Sequence, residues 1–274
     1  MGPPRSARAL ASVPRAQAKG QLKRLAGRAF ASGATPGYGS AVMGPVDAVV
    51  DVLAAGSETP TVRSIRLTRP EGFAFRTSQA VRIVLGDEAR PFSIASGPER
   101  TYLEFAARRS ESEFKRAFFA LAPGDRARII GPRGRFFLEE DVPGVLVAGG
   151  IGITPMRSML QHAADARLAT PLTLVYANHD PSEIAFRAEV DGLAHAVPGL
   201  RVLHTVSQAS PGWDGRVGRV DAALLAEAAE GRPDGIFYAS GPPGFVQRVL
   251  GAAASLGVPT ERIRLEVFRN YEEP

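Results

Sequence analysis

The run Val145-Leu146-Val147-Ala148-Gly149-Gly150-Ile151-Gly152-Ile153-Thr154-Pro155 decides how the second half of this chain folds. Four consecutive apolar residues at its start read as a strand buried on both faces, the kind found in parallel sheets. The glycines that follow mark a tight turn, and residues 155–166 then carry apolar positions at helical spacing. In a parallel sheet such a turn puts the helix N-terminus at the carboxyl edge, where free amides and the helix dipole attract phosphate. Gly149, Gly150 and Gly152 remove side chains, so a pyrophosphate can approach the backbone. Many α/β proteins carry a similar cluster, and a turn that serves only strand–helix packing is the alternative.

Downstream, strands are expected at residues 172–177, 201–207, 235–240 and 262–268, and helices at 183–196, 222–229 and 243–256. That alternation implies a parallel sheet with helices on both faces. Upstream, short strands are expected at 47–53, 61–68, 80–85, 90–95, 102–108 and 127–130, with one helix at 112–122. Residues 61–68 alternate strictly, as a half-buried strand does. Closely spaced strands with little helix between them suggest a small antiparallel Greek-key β-barrel. The expected fold class is therefore β plus α/β. A tail spans residues 1–44, a β-barrel domain 45–140 and a Rossmann-like parallel-sheet domain 141–274.

A chain of 274 residues is long enough for two domains that each bury a core. Its hydrophobic content of 45% is ordinary for a globular protein. No apolar run reaches the ~18 residues needed to span a bilayer, so no integral membrane segment is expected. The absence of cysteine excludes disulfides and thiolate-held iron–sulfur clusters, and any such cluster must sit on another protein. His162, His179, His195 and His204 are scattered without metal-ligand spacing, and no metal site is expected.

The net charge of +5 belongs to the tail. Residues 1–44 hold Arg5, Arg8, Arg15, Lys19, Lys23, Arg24 and Arg28 and no acid. Without those 7, 26 basic residues face 28 acidic ones, a net charge of −2. Nucleic-acid binding by the core therefore gains no support. The tail's Ala, Arg, Ser, Gly and Pro cannot bury enough apolar surface to fold alone, except residues 21–31 as a short basic amphipathic helix. Two readings stand: an organellar transit peptide, mitochondrial or plastid, or a disordered N-terminus on a cytoplasmic protein.

Two further motifs complete the pattern: Arg90-Pro91-Phe92-Ser93-Ile94-Ala95-Ser96, and Tyr238-Ala239-Ser240-Gly241-Pro242-Pro243-Gly244. With the glycine-rich run, their order and spacing resemble the ferredoxin–NADP reductase family, which moves electrons between a nicotinamide cofactor and one-electron carriers through a bound flavin. The resemblance covers residues 47–268. It implies that the barrel holds FAD and the α/β domain NAD(P). It assigns Gly149, Gly150, Gly152, Thr154 and Pro155 to the dinucleotide, with Thr154 near the nicotinamide. Arg90 would clamp a flavin phosphate, as a guanidinium fork fits phosphate oxygens. Pro91 belongs to the same motif, Phe92 would pack on the isoalloxazine and Ser93 would hydrogen-bond near N5. Arg108 and Ser112 would meet the flavin phosphates. Ser240, Gly241 and Pro242 would lie beside the nicotinamide. Glu266 would serve proton or electron exchange, and Phe268, or else Tyr271, would shield the flavin's other face, the alternative being that both pack in the domain interface.

The chain departs from the family pattern in places. Phe92 stands for the usual Tyr, keeping a stacking face and losing one hydroxyl. Ser240 stands for the usual Cys, which bears on speed more than on reaction type. Ser207-Gln208 ends a strand where users of NADP often show Ser-Arg, so the cofactor leans toward NADH, unless Arg201, Arg216 or Arg219 reaches the site. The resemblance implies a separate electron-acceptor protein of ferredoxin, flavodoxin or cytochrome type. Alternatives are a reductase component of an oxygenase or desaturase system and, in another class, a non-catalytic flavin-binding sensor or assembly subunit.

Overall fold

The computed structural model describes residues 45–232 and 234–268. The basic tail, its expected helix at 21–31 and Tyr271 lie outside the described residues. The N-terminal half is a curled antiparallel sheet of six strands: β1 (Val46–Ser57), β2 (Val62–Thr68), β3 (Ala80–Leu85), β4 (Glu88–Ser93), β5 (Tyr102–Arg108) and β6 (Arg126–Arg133). Their order is β4-β3-β6-β1-β2-β5. Beyond β4 the chain turns from β3 toward β5. The Ile94 amide still donates to the Gln79 carbonyl at 2.9 Å, and the Ala95 amide donates to the Glu104 carbonyl at 2.8 Å. That crossover draws the two edges of the sheet together around a core that includes Ile65, Leu67, Ile83, Leu103, Phe105 and Ile129. Helix α1 (Glu113–Ala120) closes one end with Phe114 and Phe118, its N-terminus capped by Ser112.

Strand β2 is not the half-buried strand its alternation suggests. Ile65 and Leu67 point into the barrel, while Val62 is buried in the core cluster of the second domain. The outer face of β2 and β5 at Val62 and Ala106 is therefore covered by the second domain.

The C-terminal half is a parallel sheet: β7 (Gly144–Gly149), β8 (Leu172–Asn178), β9 (Arg201–Val206), β10 (Arg216–Val217), β11 (Ile236–Gly241) and β12 (Ile263–Val267), in the order β10-β9-β8-β7-β11-β12. Every residue of β7 is buried, which accounts for its continuous apolar run. Helices α2 (Ile153–Asp165) and α3 (Arg187–Ala196) cover the face carrying Leu146, Leu174 and Tyr238. Helices α4 (Ala222–Ala228) and α5 (Pro243–Ser255) cover the face carrying Val145, Val175 and Phe237. The chain builds outward from β7 through β8 to β9, then returns to place β11 and β12 on the other side of β7. Strand order reverses there, at the carboxyl ends of β7 and β11, and such sheets bind ligands in the crevice outside a switch point of this kind. Among the described residues no helix is long and apolar enough to cross a membrane.

Candidate active site

The turn after β7 meets this crevice directly. Gly150 has φ +52°, and a Cβ there would meet nothing within 4 Å, so the backbone lies open to whatever enters. Gly152 differs. Its φ is −59°, but a Cβ would fall 2.3 Å from the Ser240 carbonyl oxygen, because α2 starts hard against the end of β11. Gly149 is likewise a packing glycine, its Cβ position lying 2.6 Å from the Phe245 ring of α5. The glycine cluster thus divides: Gly149 and Gly152 let the switch point close, and Gly150 keeps it open. Thr154 is buried in the first turn of α2, its hydroxyl donating to the Ile151 carbonyl at 3.2 Å. No side chain caps this helix; it continues the turn at Gly150–Gly152, the Ile153 amide donating to the Gly150 and Ile151 carbonyls, and Pro155 brings no amide.

Three polar side chains converge on the same place. Ser240 and Glu266 are direct partners in the β11–β12 register. The Ser93 hydroxyl crosses from the barrel and donates to Glu266 Oε1 at 2.7 Å. Ser240 Oγ and Glu266 Oε2 are both buried and have no hydrogen-bond partner among the described residues. The carboxyl group is enclosed although part of the residue remains accessible. Burial raises its pKa from the usual 4.5 to about 7, against the opposing hydrogen bond from Ser93. Phe268 packs against the neighbouring core, and its amide donates to the Gly241 carbonyl at 3.0 Å. Unpaired buried polar atoms are costly unless a ligand meets them.

A second group lies beneath α1. Arg90 is paired with Glu88, and its guanidinium carbon stands 5.8 Å from the Phe114 ring centroid. Ser112 caps the helix by accepting from the Lys115 amide at 3.3 Å. The Lys115 ammonium sits 4.9 Å from the centre of the Phe92 ring, and burial lowers its pKa to about 8. Phe92 itself departs from expectation. It is 8% exposed and stacks on Phe118 with centroids 5.1 Å apart, so its ring belongs to the barrel core and offers little face to a ligand.

Arg108 also departs from expectation. Its guanidinium reaches Glu183 of the second domain at 3.3 Å, where Thr59 donates to the same carboxylate at 3.1 Å. It is engaged at the domain boundary. Ser207 lies at the far side of the carboxyl edge, its hydroxyl 3.0 Å from His179 Nδ1. Pro91 is exposed on the outer face of β4, opposite Arg82 in register, and Pro242 precedes the first turn of α5.

The oxidoreductase NAD-binding domain family matches residues 146–250. Ferredoxin–NADP reductase B of Sorangium cellulosum is 32% identical over 226 residues, covering 77% of this chain and 93% of the relative. The chain belongs to the ferredoxin reductase-like family. Its members are NAD(P)H-dependent flavin oxidoreductases. A flavohemoprotein of Deinococcus radiodurans is 32% identical over 66% of this chain, which spans 47% of that longer protein. The flavohem-like FAD/NAD-binding domain of Vibrio cholerae nitric oxide dioxygenase superposes with a TM-score of 0.71 at 26% identity, covering 80% of this chain and 98% of that one.

The residues present fit a flavin and a dinucleotide of this family. Ser240 Oγ and Glu266 Oε2 await polar partners at the crevice, and Gly150 leaves the space a pyrophosphate needs. The sequence motifs passed over the groups that join the domains. Arg157, 1% exposed, bonds to Ala95, Glu104 and Glu189. Ser78, with φ 63°, donates its amide to Ser158 Oγ at 3.0 Å and its hydroxyl to the Pro155 carbonyl at 2.6 Å. Their one signal was an arginine among the buried positions of a helix, and a lone arginine does not name its partners.

Proposed function

We propose that this reductase uses FAD and NADH and delivers single electrons to a separate acceptor of ferredoxin, flavodoxin or cytochrome type. The bound flavin supplies the chemistry, accepting hydride at N5 from C4 of the nicotinamide and passing electrons on one at a time. The observation that carries the reading is the convergence of Ser93 from one domain with Ser240 and Glu266 from the other at the switch point of the parallel sheet.

Each group then has a task. The open backbone at Gly150 and the dipole at the N-terminus of α2 bind the pyrophosphate of the dinucleotide. Thr154, with Ser240, Gly241 and Pro242, orients its nicotinamide end. Glu266 holds a proton near neutral pH, and Ser93 fixes the carboxyl's orientation. Phe268, bonded to Gly241, helps exclude water. Arg90, Ser112 and Lys115 hold the flavin phosphates, with Phe92 supporting them from within the barrel.

NADH is favoured because the strand ends in Ser207-Gln208 with no arginine adjacent in sequence. The hydroxyl of Ser207 is engaged by His179, and Gln208 follows it. Arg201 begins β9 at the amino edge of the sheet, the end away from the crevice. Arg216 is ion-paired with Glu227. Arg219, exposed after β10, is the residue left to meet a 2′-phosphate.

Anaerobic mixing with NADH should bleach the visible flavin absorbance, and a panel of acceptor proteins, oxygenase components included, should then restore it. Flavin that keeps its colour under excess NADH and NADPH would refute the reading. A kcat/KM tenfold higher for NADPH would refute the cofactor choice alone.

A further inference from the structure

Helix α2 does two things at once. Its first turn carries Thr154 at the crevice, and its next two turns grip the barrel segment that leaves β4. The Ser158 hydroxyl donates to the Ser96 carbonyl at 2.8 Å, and Gln161 Oε1 accepts from the Gly97 amide at 2.7 Å. At the centre is Arg157, one turn beyond Thr154. Its Nη1 donates to the Ala95 carbonyl at 3.0 Å, its Nη2 to Glu104 Oε2 at 2.8 Å and its Nε to Glu189 Oε2 at 2.9 Å. The guanidinium also lies 4.4 Å from the Phe186 ring centroid. Glu104 is itself fixed from the other side by Arg66 at 3.2 Å.

We propose that Arg157 is a positioning residue that sets the gap between flavin and nicotinamide, a proposal that rests on the function proposed above. Ala95 lies two residues beyond Ser93, and Thr154 lies three residues before Arg157. The two ends of the hydride path are thus tied through one guanidinium and a few rigid backbone units. A buried arginine with two carboxylates contributes little net stability over an apolar packing of equal volume, because desolvation cancels most of the attraction. What it adds is direction: three bonds at fixed angles allow one register of α2 against the barrel, whereas apolar contacts would tolerate sliding. Hydride transfer is sensitive to such sliding, since a misplacement of ~1 Å costs about a hundredfold in rate. Lysine cannot replace arginine here, because an ammonium lacks the planar fork that reaches Ala95, Glu104 and Glu189 together.

The test compares Arg157→Lys, Arg157→Met and Glu104→Gln holoenzymes in anaerobic stopped-flow reduction by NADH. Amide hydrogen exchange at residues 95–97 provides a readout independent of turnover. The expected result is a limiting reduction rate lowered by about tenfold to a hundredfold in both Arg157 variants. Flavin content and the NADH dissociation constant should stay within about twofold of the parent, and exchange at 95–97 should quicken. Glu104→Gln, which can accept from only one of Arg66 and Arg157, should fall between. An unchanged limiting rate in folded, flavin-loaded Arg157→Lys overturns the proposal. Loss of flavin or of folding in both Arg157 variants also overturns it, in favour of a purely structural arginine. A parent enzyme that NADH and NADPH fail to reduce would instead sink the underlying function.

Discussion

Replacing Glu266 by Gln should make the protein more stable in alkali and leave it unchanged in acid. The carboxyl group's pKa is raised from 4.5 to about 7, chiefly by burial. That rise corresponds to about 3 kcal/mol between the protonated and ionised forms. A group whose folded pKa is raised favours the native state while it is protonated. Its contribution is complete below pH 4.5 and is lost as pH climbs through about 7. Glutamine resembles the protonated form in size and polarity, keeps an oxygen to accept from Ser93 and never ionises. The wild-type protein should therefore lose up to about 3 kcal/mol relative to Glu266→Gln between acid and pH 8. In a chain of this size that is roughly 6–12 °C in Tm. Thermal unfolding of both proteins across this range, in saturating FAD, measures the difference directly. Two curves that stay parallel from acid to pH 8 would show that the carboxyl titrates normally, and the proton-holding role assigned to Glu266 would fail with it.

Arg90→Ala should weaken flavin binding by roughly tenfold, the lower end of the ~1.5–3 kcal/mol expected for a charge-assisted phosphate contact, because Glu88 already competes for the guanidinium. Equilibrium dialysis showing unchanged FAD affinity would contradict the assignment. Gly150→Ala should cost ~1–2 kcal/mol of left-handed strain and raise the KM for NADH while flavin content holds, whereas Gly152→Ala should lower folded yield because its Cβ meets the Ser240 backbone. The reverse ranking, read from KM and Tm, would mean that the two glycines have been assigned to the wrong tasks. Ser240→Cys should raise the limiting rate of flavin reduction, since a larger, more polarizable atom fills the space beside the nicotinamide, and a slower variant in stopped-flow would refute this.

The fold was legible where short-range pattern and burial agree. Strand β7 is apolar throughout because both faces are covered, and its glycine turn follows at once. The misread elements are those where tertiary contacts overrule local pattern. Helix α3 was expected from residue 183, yet it starts at Arg187. Asp180 caps a separate short turn, Phe186 adopts φ 57°, and Glu183 is spent on Thr59 and Arg108 across the boundary. Strand β10 went unseen because two exposed residues carry no periodicity. Strand β4 stops at Ser93, two residues early, because the Ala95 amide is claimed by β5.

The site divides along the same line. Glycines and the Ser-Gly-Pro turn act through the backbone beside them, so their chemistry can be read from a few adjacent letters. The meeting of Ser93 with Glu266 spans 173 residues; family resemblance named each residue separately, and neither it nor local pattern paired them. Arg157 reaches Glu104 over 53 residues with no motif to announce it. Residues that touch a cofactor are constrained by the cofactor's shape and recur as short words. Residues that place one domain against the other are constrained only by each other, and any pair that closes the gap will serve. That asymmetry is why the motifs identified the reaction class while leaving the geometry of transfer to the folded chain.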